Sequence, residues 1–266
     1  MKLMIAAAAA SGVLAGASAS AGTVSQSDKQ WSSEGSYMAF ASPWCSYIDK
    51  TLDQGTDYLD TVTYTAGDLA TGKNIQLKWR WPALAKRSPA CGVFGYDQVA
   101  WGNYDGGRVM SPIAPRQVLS IKTLSLSHDI TESAEDQEYN GLAEFYLTKE
   151  PGAANLKAIE IGWFWNAPAA TVAWAATGRQ LGTFSDRYSR KWTVSVNKGG
   201  ASGTFVTFIP SGKLLAGTFD AKAAIDFLRD RGLVNGAWWF NGAAIGVEPL
   251  GNSGSALIRK FTVTAS

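Results

Sequence analysis

The sequence predicts an all-β protein, and three observations carry that prediction. Stretches of about seven residues in which apolar and polar side chains alternate recur along most of the chain, bounded by Gly and Pro, as half-buried strands require. Only one segment has the spacing of an amphipathic helix. No repeat, linker or low-complexity boundary divides the 266 residues, so one large β domain is expected rather than an array.

Residues 1–21 have the form of a secretory signal, with Lys2 ahead of an apolar run and small-residue cleavage patterns at 17–19 and 19–21. Residues 22–266 form the expected domain, about 245 residues, long enough to bury a sizeable core unaided. The signal run is too short to span a membrane, and nothing later is apolar for long enough. An exported, extracellular protein follows. Its two cysteines, Cys45 and Cys91, are then expected to form a disulfide. Two cysteines and one histidine, His128, do not make a zinc site. Net charge is +2 with no basic run, which disfavours nucleic acid as a partner. No partner chain is implied, and a monomer is expected. Eleven tryptophans among so few charges either fill a large core or offer flat faces to sugar rings.

In chain order, residues 37–45 read as a strand running into a constrained turn that carries Trp44 beside Pro43. Residues 58–64 and 75–81 alternate, the second with Ile75, Leu77, Trp79 and Trp81 on one face and Pro82 ending it. Residues 93–101 are a further strand, followed by a Gly-rich turn at 103–107. A strand is expected at 118–128, with a bulge where the apolar phase slips between Ile121 and Leu124. The acidic residues 132–138 read as a solvated turn; their spacing matches no calcium loop. Strands follow at 141–147, 157–166, 191–196 and 204–209. The helix is 221–231, with Asp220 as N-cap, Ala224, Ile225 and Leu228 as its apolar stripe and Gly232 as its stop signal.

Two strands carry an awkward residue. In 157–166, Glu160 interrupts an almost wholly apolar run. Period two puts Ala158, Glu160, Gly162 and Phe164 on one face and Ile159, Ile161, Trp163 and Trp165 on the other. An unpaired carboxylate there costs several kcal/mol, so Glu160 either sits in a structural ion pair or lines a groove, with Gly162 leaving space beside it. Residues 238–249 repeat the design. Phe240, Gly242, Ala244, Gly246 and Glu248 share a face that gives up most of its side-chain volume. If 141–147 pairs with 157–166, Glu144 comes close to Glu160, and a shared proton would orient it. Two carboxylates and no metal, cofactor or histidine are the requirements of glycoside hydrolysis. A serine triad would have to use His128, and no Gly-x-Ser-x-Gly elbow accompanies it.

The residues around both glutamates resemble glycoside hydrolase family 12. Residues 159–164 (Ile-Glu-Ile-Gly-Trp-Phe) are similar to that family's Glu-Ile-Met-Ile-Trp nucleophile strand, and 246–250 (Gly-Val-Glu-Pro-Leu) to its Gly-Thr-Glu-Pro-Phe segment. Ala143-Glu144 stands where the family has Tyr-Asp, 220–233 where it has its single helix, and 40–44 where it has Tyr-Asn-Asn-x-Trp. Phe94-Gly95-Tyr96 resembles its Tyr-Pro segment. The resemblance implies a concanavalin A-like β-jelly roll of two curved antiparallel sheets with one helix, and a retaining endo-acting enzyme on β-1,4-glucans such as cellulose or xyloglucan, without a cofactor. Glu160 would be the nucleophile, Glu248 the acid/base and Glu144 the assisting carboxyl. Trp44 and Trp81, then Trp101 and Phe164, are the residues expected to stack on sugar, the alternative for each being the core. The chain departs from the pattern at Ala41-Ser42 for Asn-Asn, at Gly162 for Met, at Ala244 where Gln is common and at the longer Glu144. A sugar-binding protein on the same fold without turnover is the alternative reading.

Overall fold

The computed structural model describes residues 22–104, 113–134, 138–152, 154–200 and 202–266. The expected signal segment therefore lies outside the described residues, as does most of the 103–107 turn. The first strands are Thr23–Ser27 (β1), Trp31–Glu34 (β2), Tyr37–Phe40 (β3), Leu59–Thr65 (β4), Ile75–Trp81 (β5) and Asp97–Gly102 (β6). Arg116–Gln117 (β7), Leu124–Ala134 (β8), Tyr139–Thr148 (β9), Lys157–Asn166 (β10), Arg179–Ser185 (β11) and Lys191–Lys198 (β12) follow. The last are Thr204–Pro210 (β13), Ala216–Phe219 (β14), Trp239–Phe240 (β15), Gly242–Pro249 (β16) and Asn252–Ala265 (β17). The α-helices are Trp44–Ile48 (α1), Ala169–Ala176 (α2) and Ala221–Arg229 (α3).

Among the described residues the strands form two sheets. The smaller runs β1-β4-β5-β17-β8-β14, and the larger β11-β12-β13-β10-β9-β16-β6-β3-β2, with β15 bridging β7 and β9. The protein is a two-sheet β-jelly roll. Its core lies between the sheets, where Leu77, Ile258 and Ile75 from the smaller meet Ile161, Trp163, Phe145 and Ile245 from the larger. The outer face of the larger sheet carries a second apolar cluster that includes Met38, Phe40, Tyr96, Leu142, Tyr146, Phe164 and Phe205. Both faces of β9 and nearly all of β10 are therefore buried, which explains why these strands are apolar along nearly their whole length.

Several expectations change. Neighbouring strands are antiparallel except β10 and β13, which pair in parallel with Glu160 opposite Phe205. The expected helix is present as α3. Asp220 accepts the Ala223 N–H (3.1 Å), and Ala224, Ile225 and Leu228 are buried. It is joined by α2, which the sequence hides: Ala-Ala-Thr-Val-Ala-Trp-Ala-Ala has strong helix formers but no polar face, so no period shows. Trp44, expected on a constrained turn, starts a one-turn helix. Residues 118–120 form a 3-10 turn, and the strand expected there begins at Leu124. Glu132 continues β8 instead of turning, and Lys213 Nζ pairs with it at 2.6 Å. His128 is a core residue, stacked on Phe219 with ring centroids 4.7 Å apart and bonded to the Leu214 carbonyl (2.8 Å). Burial lowers its pKa to about 4, so it is neutral. Cys45 and Cys91 are disulfide-bonded, tying α1 to the loop before β6.

Two acids face each other across the interior. Asp60 on β4 and Asp97 on β6 are both buried. Asp60 Oδ1 accepts the Asp28 N–H (3.2 Å), and Asp97 Oδ1 accepts the Ser42 N–H (3.1 Å). The Oδ2 of each is buried with no other partner, so a proton held between them satisfies both. Burial raises both carboxyls, Asp60 to about 6; the charge of Asp28 adds to the rise of Asp60, and the charge of Asp60 adds to that of Asp97. A carboxyl raised in the folded state stabilises the fold below its unfolded pKa, and that contribution is lost as pH rises through the folded value. The thermal unfolding midpoint is therefore expected to fall as pH is raised from about 4 to about 6, and Asp97→Asn should flatten that dependence. Circular dichroism melts across this interval check it; a midpoint that rises with pH would contradict it.

Candidate active site

The site is built on β9, which lies between β10 and β16 and runs antiparallel to both. Register places Gly162 opposite Glu144 on one side and Ala244 opposite it on the other. Glu160 is opposite Tyr146, and Glu248 is opposite Asn140. Directly opposed residues share a face, so all three glutamates stand on the outer face, and the small Gly162 and Ala244 let their side chains converge. Their charges act on one another. Burial raises Glu144 well above the usual carboxylate range, and the charges of Glu160 and Glu248 add to the rise. Burial likewise pushes Glu248 up to about 7. The Asn140 Nδ2 hydrogen bond (2.9 Å) opposes that rise, the charge of Glu160 adds to it and Arg87 opposes it.

Each carboxyl has its own support. Tyr104 donates its hydroxyl to Glu144 Oε1, and the Tyr104 and Tyr146 rings pack 5.2 Å apart. Lys157 Nζ lies 3.9 Å over the Tyr146 ring and lowers the proton affinity of Glu144. Thr171 on α2 donates to Asn140 Oδ1. Tyr96 projects its hydroxyl among the three glutamates, where it is buried without a partner.

The space expected beside the glutamates is filled. A Cβ on Gly162 would meet the Phe205 ring at 2.6 Å, so the glycine admits an aromatic ring from β13 instead of leaving a vacancy. Gly246 similarly admits the Tyr96 ring, at 2.9 Å from where its Cβ would be. Gly200, in the turn between β12 and β13, lies against the carboxyl of Glu160 with φ +66°. Glu144 and Glu160 are consequently buried, while Glu248 keeps partial exposure. Phe240, expected on the Glu248 face, turns into the core and packs edge-on to Phe145 at 5.4 Å. The chain breaks its alternation at Asn241, whose Nδ2 donates to Thr148 Oγ1 (2.9 Å) and whose Oδ1 accepts from Gly152 N (2.8 Å).

The aromatic expectations divide. Trp44 is 51% exposed. Trp81 is 4% exposed, with one ring face 4.2 Å from Tyr58 and the other 4.9 Å from Phe94. Both faces are used, and no sugar can reach it. Trp101 shares the inward face of Val99 and packs on the core between the sheets. Phe164 is on the outer face but buried under its neighbours. Two exposed tryptophans escaped the sequence reading. Trp31 is 41% exposed and opposite Phe40 on the outer face. Trp174 is 38% exposed, its ring 5.8 Å from Phe205. Asn140 was findable: it lies four residues before Glu144, on the same face by period two. Tyr104, Thr171 and Gly200 carried no sequence signal.

No family model and no curated protein sequence matches the chain. Solved structures do. The family GH12 endoglucanase 3 of Trichoderma harzianum superposes with a TM-score of 0.72 at 15% identity, covering 93% of this chain and all of that one. A family 12 xyloglucanase from Bacillus licheniformis gives 0.69 at 18% identity, covering 92% and 100%. The catalytic domain of Humicola grisea Cel12A, solved with a soaked thio-cellotetraose, gives 0.70 at 15% identity, covering 92% and 99%. These likenesses establish the fold.

Gly200→Ala tests the seating of the turn on Glu160. The positive φ costs about 1–2 kcal/mol for a residue with a Cβ, and the new methyl collides with the carboxyl. A melting midpoint several degrees lower is expected, read by calorimetry; an unchanged midpoint would show that the turn does not rest on Glu160.

Proposed function

We propose that this chain is a secreted glycoside hydrolase that cuts β-1,4-linked glucan, cellulose-type or xyloglucan, with retention at the anomeric carbon. The convergence of Glu160, Glu144 and Glu248 on the outer face of the larger sheet carries the reading. Glu160 is the nucleophile and attacks the anomeric carbon. Glu248, protonated below about pH 7, gives its proton to the leaving oxygen, then takes one from the water that releases the glycosyl-enzyme. Glu144, held neutral by burial and steadied by Tyr104, keeps Glu160 in orientation. Tyr96 offers its unpartnered hydroxyl to the sugar. Trp31, Trp44 and Trp174 are the exposed rings available for stacking. The β-1,4-glucan class is supported by the endoglucanase and xyloglucanase likenesses. Export is supported by the form of residues 1–21 and by the disulfide. Substrate reaching Glu160 displaces the turn that carries Gly200.

Reducing-sugar release from carboxymethylcellulose, mixed-linkage β-glucan and xyloglucan is expected from at least one of the three. Glu248→Gln should lower kcat about 10²–10⁴-fold, less on aryl glycosides whose leaving group needs no proton. Glu160→Gln should abolish turnover on both. Rate should fall as pH rises above about 7, where Glu248 loses its proton. Proton NMR of the first product should show the β anomer; the α anomer would refute retention. A sugar-binding protein without turnover is the second reading, favoured by the cover that Gly200 and Phe205 place over Glu160 and Gly162. It requires binding that survives Glu248→Gln, with no sugar released from any of the three glucans.

A further inference from the structure

The helix α2 has no amphipathic stripe and packs few of its residues into the core; Thr171 and Ala175 are the buried ones. Thr171 is in its first turn and points at β9. Its hydroxyl donates to Asn140 Oδ1, and the other end of that amide, Nδ2, donates to Glu248 Oε2 at 2.9 Å. Thr171 and Asn140 are both buried. An amide has one accepting end and one donating end. With the accepting end held by a hydroxyl, the donating end must face the carboxylate. Without the hydroxyl, the amide is free to rotate and put oxygen against oxygen. Pro168 before the helix fixes where its first turn begins, and Asn166 Nδ2 donates to the Tyr139 carbonyl (2.8 Å), tying the end of β10 to the residue beside Asn140.

We propose that Thr171 is a positioning residue for Glu248: by holding the Asn140 amide in one orientation, it keeps a hydrogen-bond donor against the Glu248 carboxylate. The consequence is chemical. The groups that bear on Glu248 are Glu160 on β10, Glu144 on β9, Tyr96 ahead of β6 and Arg87 in the loop before it, with Glu138 beside Arg87. The charge of Glu160 favours the protonated form, as burial does, and Arg87 opposes it. Asn140 is the uncharged group opposing burial and Glu160, and its direction depends on Thr171. The importance of this arrangement for catalysis rests on the role proposed for Glu248; the arrangement itself does not.

The test is a carbon-13 NMR titration of glutamate side chains, with Glu248 assigned by the resonance missing in Glu248→Gln. Thr171→Val keeps the shape and removes the hydroxyl. The Glu248 midpoint is expected to rise by about one pH unit, the size of a hydrogen bond to a charged group. Thr171→Ser should restore the wild-type midpoint. Asn140→Leu should give the same rise, and Thr171→Val added to it should give no more. If Thr171→Val does not fold, Thr171→Ala removes the same hydroxyl without adding a methyl, and the same rise is required of it. A folded variant without the hydroxyl that titrates like the wild type overturns the proposal, as does a rise that Thr171→Ser fails to reverse. In active protein the alkaline limb of kcat should move by the same amount with KM unchanged. The titration needs no turnover, so failure to hydrolyse any glucan strikes the proposed function and leaves this result standing.

Discussion

Three carboxyl groups share one small region of the outer face, and burial does not allow all three to be ionised. Much of the surrounding structure follows from that constraint. Small residues, Gly162 and Ala244, flank Glu144 on both neighbouring strands, and at Gly162 the space so left takes the Phe205 ring. Polar partners come from four directions: Tyr104 from beyond β6, Asn140 from β9 itself, Lys157 from the start of β10 and Arg87 from the loop next to the disulfide. Each pushes a proton affinity down against burial and repulsion, and none fully cancels them. The outcome is graded, with Glu144 raised well above the usual carboxylate range and Glu248 pushed up to about 7. Environments that push neighbouring acids apart in this way are what acid/base chemistry at one site requires.

The other face of the same sheet repeats the motif for a different purpose. Asp60 and Asp97 join the two sheets through a carboxyl pair whose outer oxygens accept backbone N–H groups from Asp28 and Ser42. Asp97 directly follows Tyr96, so one short segment carries the hydroxyl buried among the glutamates and half of the inter-sheet pair. Ser42 also leads into α1, where Trp44 stands exposed beside the disulfide. The exposed Trp44, the disulfide and the buried acid pair are thus one connected piece of backbone.

The fold was legible because period two is a local property. Each of β5, β9, β10 and β16 alternates between a core face and an outer face, and the sequence shows which residue goes where as long as the alternation holds. It failed for Phe240, because Asn241 interrupts the strand to bond Thr148 and Gly152. It failed for α2, because a helix made of small apolar residues has no face to reveal. Trp81 shows a further limit: alternation put it with Ile75 and Leu77, but only tertiary contacts, with Tyr58 just ahead of β4 and Phe94 in the loop before β6 on the two sides of its ring, made it core rather than platform.

The sequence by itself determined the β class, the two strands that each carry an isolated glutamate, the partner position of Glu144, the cap of α3 and the cysteines available to pair. These depend on neighbours a few residues apart, so composition and spacing express them. Tertiary structure alone decided what fills the space at Gly162, what rests on Glu160 and what holds Glu248. Gly200 and Phe205 reach the site from 40 and 45 residues beyond Glu160, and Thr171 from the helix that follows β10. Their contacts are fixed by the parallel pairing of β10 with β13 and by the packing of α2 on β9. A glycine beside a carboxylate reads as empty space in one dimension; in three it is the gap that admits an aromatic ring from the next strand.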